Sequence, residues 1–150
     1  MPFEFTTQRG DNERLRVGLD VVEVSRVRES LDCFGDRFVR RLFCAGEISY
    51  ATQNPAQCAE RLAARFAAKE ATIKAFALGE LGVDWRDIEV RKLADGTCRL
   101  ALHGKAALQA ARLGVSSIAL SLSHDGDYAA AVVTALCDAD ATSLFPPLFH

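Results

Sequence analysis

The chain has 150 residues, 49% of them apolar and 25% charged, with a formal net charge of −2. That length supports one domain with a real core, and the slight acidity argues against a nucleic-acid partner. The apolar stretches near Phe66 and Ala129 are short or broken by charge, which argues against a membrane span.

Residues 1–14 read as a loose polar arm, without the apolar centre of a secretory signal. From Leu15 to Val24 the chain alternates. Leu15, Val17, Leu19 and Val21 share one face, and Arg16, Gly18 and Asp20 the other. This predicts a strand from which Asp20 projects opposite the apolar row. Asp20 is out of place there on propensity alone. It is either an end-of-strand or capping residue, or a functional acid.

Ser25 to Arg41 reads as helical with a break at Gly35. It holds Arg26, Arg28, Arg37, Arg40 and Arg41 against Glu29, Asp32 and Asp36. Arg37 and Arg41 lie one turn apart on one face. That face is either simply solvated or a docking site for an acidic partner.

Asn54-Pro55 breaks the chain before a long helix, about residues 56–78, that ends near Gly79 and Gly82. Along it Leu62, Phe66, Ile73 and Ala77 form one apolar arc, with Glu70 at its border. Arg61 and Arg65 point mostly away from that arc. Lys74 sits one turn beyond Glu70, so the two form a surface ion pair or serve a ligand together. A short strand at 87–93, an Asp95-Gly96 turn and a strand at 99–102 follow. Next come a helix at 104–113, an alternating strand at 116–123, the turn His124-Asp125-Gly126-Asp127 and a strand at 128–136. The fold class is α+β: a small, mostly antiparallel sheet packed on one long helix. The tail, residues 137–150, holds Pro146-Pro147 inside an apolar cluster.

The five cysteines, at 33, 44, 58, 98 and 137, form neither a CxxC pair nor a His-Cys cluster. They suit small buried side chains in a reducing cytoplasm better than zinc or disulfides. Asp20, Glu70 with Lys74, and His124 are ionisable groups that the local patterns do not require. Two carboxylates with lysine and histidine nearby suit a hard divalent metal and a phosphorylated ligand. No Walker-type loop or GxGxxG is present.

Gly18-Leu19-Asp20-Val21-Val22-Glu23-Val24, then Arg65-Phe66-Ala67-Ala68-Lys69-Glu70-Ala71 with Lys74, then Ser121-Leu122-Ser123-His124 resemble the signature blocks of holo-acyl-carrier-protein synthases. Arg37-Phe38, Arg41 and Glu47 fit the same pattern. The resemblance covers roughly residues 15–136, the phosphopantetheinyl-transferase-like domain. It implies transfer of the phosphopantetheine arm of coenzyme A to a serine of an acyl carrier protein. Adenosine 3′,5′-bisphosphate would leave. Carried over by motif, Asp20 and Glu70 would hold Mg²⁺, and Lys74 would bind the diphosphate. Arg65, Ser123 and His124 would contact coenzyme A phosphates. The serine would be deprotonated by a water assisted by Glu70 or by another group. The resemblance further implies a homotrimer with coenzyme A between subunits, and an acidic carrier of fatty-acid, polyketide or peptide synthesis docking on Arg26, Arg37 and Arg41. A non-catalytic module that binds coenzyme A or a carrier on the same fold is the alternative.

Overall fold

A computed structural model of the chain describes residues 14–138. The expected arm and the Pro146-Pro147 tail lie outside the described residues, apart from their inner ends. The elements are β1 (Leu15–Glu23), α1 (Val24–Phe34), α2 (Asp36–Leu42), α3 (Ala45–Thr52), α4 (Cys58–Ala75), β2 (Ile88–Lys92), β3 (Cys98–Leu102), α5 (Gly104–Arg112), β4 (Val115–Asp125) and β5 (Tyr128–Cys137). Short 3-10 turns at Pro55–Gln57 and Trp85–Asp87 precede α4 and β2. One sheet has the order β1-β5-β4, and β2 and β3 form a separate hairpin. Every pairing is antiparallel, so the expected α+β class holds.

The helix α4 lies against β1 and β5 because both present small residues to it. Ala129, Ala131, Val133 and Ala135 of β5 and Gly18 of β1 are buried on that side. On the helix, Ala63, Ala64, Ala67, Ala68, Ala71 and Ala75 are buried in turn. Small side chains on both partners let the backbones approach closely, and the large apolar groups fill the periphery. Phe43, Leu62, Phe76, Leu78 and Ile88 are fully buried, each contributing about 1.5–3 kcal/mol by leaving water.

The apolar row of β1 faces outward. Leu15, Val17, Leu19 and Val21 are 63%, 63%, 55% and 57% exposed. Tyr128, Val132 and Leu136 of β5 extend the same outer face. Alternation told the two faces apart; the helix chose the smaller one.

Helix α4 stops at Ala75, earlier than the glycines suggest. Ala77 adopts a left-handed φ of 54°, and Leu78 N donates to Ile73 O at 3.0 Å. This is a Schellman stop without its usual glycine. It turns Phe76 and Leu78 into the core, and their burial offsets the strained alanine. The break at Gly35 is present, with φ 54° between α1 and α2. In the β2–β3 turn, Asp95 Oδ1 accepts from Thr97 N at 3.0 Å and Thr97 Oγ1 at 2.6 Å.

No helix among the described residues is long and apolar enough to cross a membrane.

Candidate active site

Strand β1 and helix α4 bring Asp20, Glu70 and Lys74 to one open cleft of about 560 Å³. Lys74, in the last turn of α4, donates to Leu19 O and Asp20 Oδ1, both at 3.0 Å. The Glu70–Lys74 surface pair that helical spacing allowed is therefore replaced by a pair across elements. The Asp20 side chain is 17% exposed and that of Lys74 54%.

Glu70 is half-buried and makes no hydrogen bond or ion pair among the described residues. Burial, and then the neighbouring Asp20 carboxylate, hold its carboxyl above the usual range, while Lys74 opposes them. An acid left in that condition calls for a cation or a proton. Two carboxylates, one of them without a partner among the described residues, form an all-oxygen donor set. That set fits a hard ion such as Mg²⁺, which takes one or two protein carboxylates and fills its shell with water and phosphate oxygens.

Arg65, Ser123 and His124 meet in a second cavity of about 420 Å³, separate from the first. Ser123 and His124 are exposed on β4, whereas Arg65 is only 3% exposed. Its expected outward direction is thus corrected, and the reason is tertiary. Tyr50 of α3 arrives over it, with the Arg65 guanidinium 4.2 Å from the ring centroid. Arg61 lies at 4.2 Å and Lys92 at 4.7 Å from the same ring. Arg65 donates to Arg61 O at 3.2 Å, its Nε has no hydrogen-bond partner, and burial lowers its pKa. The hydrogen bond from Lys92 holds the Tyr50 phenol below its ordinary pKa against the effect of burial. Cations gathered round one ring, one of them buried with an unused N–H, suit an anionic group. Helical spacing could not reveal Tyr50 and Lys92, because they come from other elements.

Arg26 lines the first cleft and bridges Glu23 at 3.4 Å. Arg37 and Arg41 flank an apolar groove formed by Phe34, Phe38, Leu42, Phe66 and Trp85. Phe38 and Phe66 line both groove and cleft, so the two adjoin. Asp127 secures α1 beside them, accepting from Ser25 N at 3.0 Å and Ser25 Oγ at 2.6 Å.

A buried brace stands behind the cleft. Lys69 Nζ donates to Glu47 Oε1 at 2.8 Å, to Trp85 O at 3.1 Å and to Ile88 O. Glu47 also accepts from Cys44 N at 2.9 Å and Val90 N at 3.2 Å. Both side chains are fully buried.

Two acids and a lysine in one cleft, with a cation-rich cavity on the same helix, suit a polyanionic ligand. The family follows from comparison. A sequence model of the 4′-phosphopantetheinyl transferase superfamily matches residues 16–133, and the chain belongs to that family. A holo-[acyl-carrier-protein] synthase from Solibacter usitatus is 48% identical over 108 residues, 71% of this chain and 86% of the relative. One from Koribacter versatilis is 47% identical over 120 residues, 79% of this chain and 95% of the relative. Among solved structures, the ACPS–CoA complex of Chronobacterium ammoniagenes superposes with a TM-score of 0.74 at 34% identity, covering 84% of this chain and 99% of that one. Acyl carrier protein synthase from Mycobacterium tuberculosis gives 0.65 at 36% identity, covering 82% and 97%.

Proposed function

We propose that this chain moves the 4′-phosphopantetheine arm of coenzyme A onto a serine of an apo acyl carrier protein, as a holo-acyl-carrier-protein synthase. The convergence of Asp20, Glu70 and Lys74 on one cleft carries the site assignment. The serine oxygen attacks the β-phosphorus and a new P–O bond forms. The diphosphate P–O bond breaks, and its electron pair leaves on adenosine 3′,5′-bisphosphate. A water assisted by Glu70, or another group, takes the serine proton. Lys74, fixed by Leu19 O and Asp20, offers its charge to the diphosphate as negative charge builds on the leaving oxygen. Asp20 and Glu70 would hold Mg²⁺, which when bound neutralises diphosphate charge.

Arg65, Ser123 and His124 take the remaining 3′-phosphate of coenzyme A in the second cavity, with Arg61 and Lys92 adding charge. An acidic carrier docks along the Arg26, Arg37 and Arg41 side, where the groove adjoins the cleft that admits its serine. The outward apolar face of β1 and β5 is the surface through which copies associate, as a trimer in which one copy's cleft faces another's cation-rich cavity. Five unpaired thiols fit residence in the cytoplasm. The transferase domain is assigned to residues 15–136.

The test is incubation with coenzyme A, Mg²⁺ and a panel of apo carrier proteins, following the carrier's mass. Gain of one phosphopantetheine arm, lost in Asp20→Asn and Glu70→Gln, supports the assignment. Full turnover in EDTA-treated buffer, or an active Glu70→Gln, refutes it. Coenzyme A binding without transfer to any carrier would identify a non-catalytic module.

A further inference from the structure

We infer that Gly18 is a positioning residue for the cleft: its missing side chain sets the distance between β1 and α4 at which Asp20 and Glu70 face one ion. This rests on the assignment of those two carboxylates to a divalent cation.

The observation is steric. A Cβ at Gly18 would lie 1.9 Å from Ala71 O, 2.8 Å from Ala71 C and 3.0 Å from Ala75 N. All three are backbone atoms of α4, so no side-chain truncation on the helix can relieve the clash. Real Cβ contacts essentially never fall under 3.0 Å, so strand and helix must part by at least about 1.1 Å, the difference between 3.0 and 1.9. Gly18 has an ordinary strand φ, so closeness of approach alone requires glycine here.

Polar ties on either side of Gly18 show that the approach fixes the cleft. Arg16 Nη1 donates to Ala75 O at 3.2 Å on one side. Lys74 Nζ donates to Leu19 O and Asp20 Oδ1 on the other. Asp20 is two residues along the strand from Gly18, and Glu70 immediately precedes Ala71. Any separation at Gly18 is thus passed to the two acids. An error of about 1 Å in placing reacting groups can cost about 100-fold in rate, and disturbing the support of a metal ligand about 10- to 100-fold in metal affinity.

The experiment is an EPR titration of Mn²⁺ with coenzyme A present and no carrier protein. It compares wild type, Asp20→Asn, Asp20→Glu, Gly18→Ala and Gly18→Ala/Asp20→Glu, all at a temperature where each is folded by circular dichroism. Gly18→Ala is expected to weaken Mn²⁺ binding about 10- to 100-fold. Adding Asp20→Glu, which extends the acid by one C–C bond of about 1.5 Å, should recover several-fold of that loss. The same change alone should weaken the wild type. General loosening of the fold predicts no such reciprocal rescue. Mn²⁺ binding by Gly18→Ala equal to wild type, or a loss that Asp20→Glu does not recover, overturns the inference. Equal binding by wild type and Asp20→Asn overturns the metal assignment instead. Should Gly18→Ala fail to fold, Arg16→Met decides. It removes the tie to Ala75 O without touching the cleft, and unchanged Mn²⁺ affinity there overturns the inference.

Discussion

Replacing Lys69 with Met keeps the aliphatic stem and deletes only the charge at the centre of the buried brace. Glu47 then keeps two backbone donors, Cys44 N and Val90 N, but loses its ion-pair partner in a site with no access to water. Trp85 O and Ile88 O lose the donor as well. Breaking a buried pair from one side costs about 3–5 kcal/mol, and the buried Ile88 carbonyl loses a charged donor as well, whereas Trp85 O still accepts from Ile88 N. The contributions overlap, and we expect a loss of about 4 kcal/mol, or about 10–15 °C in Tm for a chain of this size. Glu47→Gln should cost nearly as much, because it leaves the ammonium buried without its partner. The double variant should recover at least about 2 kcal/mol of the summed loss, since neither charge then remains. Urea unfolding at fixed protein concentration reads this through Trp85, the single tryptophan, which stacks on Phe66 with ring centroids 5.3 Å apart. Two single losses under about 1 kcal/mol that simply add would place the pair among weak surface bridges and refute the reasoning.

Glu70→Gln should raise Tm at neutral pH in metal-free buffer. The folded state holds the Glu70 pKa high, so ionisation there destabilises the fold above that pKa, and the gain should vanish as pH falls through the carboxylate range; a variant less stable than wild type at neutral pH contradicts it. Arg37→Glu with Arg41→Glu should raise KM for the carrier at least about ten-fold and leave KM for coenzyme A unchanged, with a smaller effect at high salt; equal shifts in both constants argue against docking at the groove. Mixing inactive Glu70→Gln and Arg65→Ala subunits one to one, with dissociation and reassembly, should restore about one quarter of wild-type activity if each site joins two copies. No recovery after confirmed subunit exchange places both halves of the site in one chain.

The element order was legible because each signal was local: alternation in β1 and β4, Asn54-Pro55 before α4, and Asp95-Gly96 in the hairpin. What was lost depended on contacts between elements. Lys69 is instructive. It stands seven residues after Leu62 and four before Ile73, on the opposite border of the apolar arc from Glu70. The spacing left its ammonium at a border, whereas the structure buries it and Glu47, arriving from α3, neutralises it. Arg65 likewise reads as outward until Tyr50 covers it. Of the two readings open for Lys74, the surface pair with Glu70 is not formed: helical spacing sees Glu70, whereas the strand beside the helix supplies Asp20.

The spacing along α4 also bears on why one chain holds its charges in two cavities. At about 100° per residue, Arg65 and Glu70 project roughly 140° apart round the helix. In one direction between them stand β1 and β5, packed on the alanine face. In the other stand Leu62 and the Lys69–Glu47 brace, roofed by Trp85. Among the described residues, the cleft of Glu70 and Lys74 shares no lining residue with the cavity of Arg65, Ser123 and His124. If a single coenzyme A uses both sets, the second set comes from another copy. The exposed apolar row on β1 begins beside the cleft, with Val21 lining it, and offers that copy a place to bind. Association and catalysis then have one structural origin: α4 turned its small face to the sheet, which left the larger residues of β1 outside and divided the charged residues between two sides.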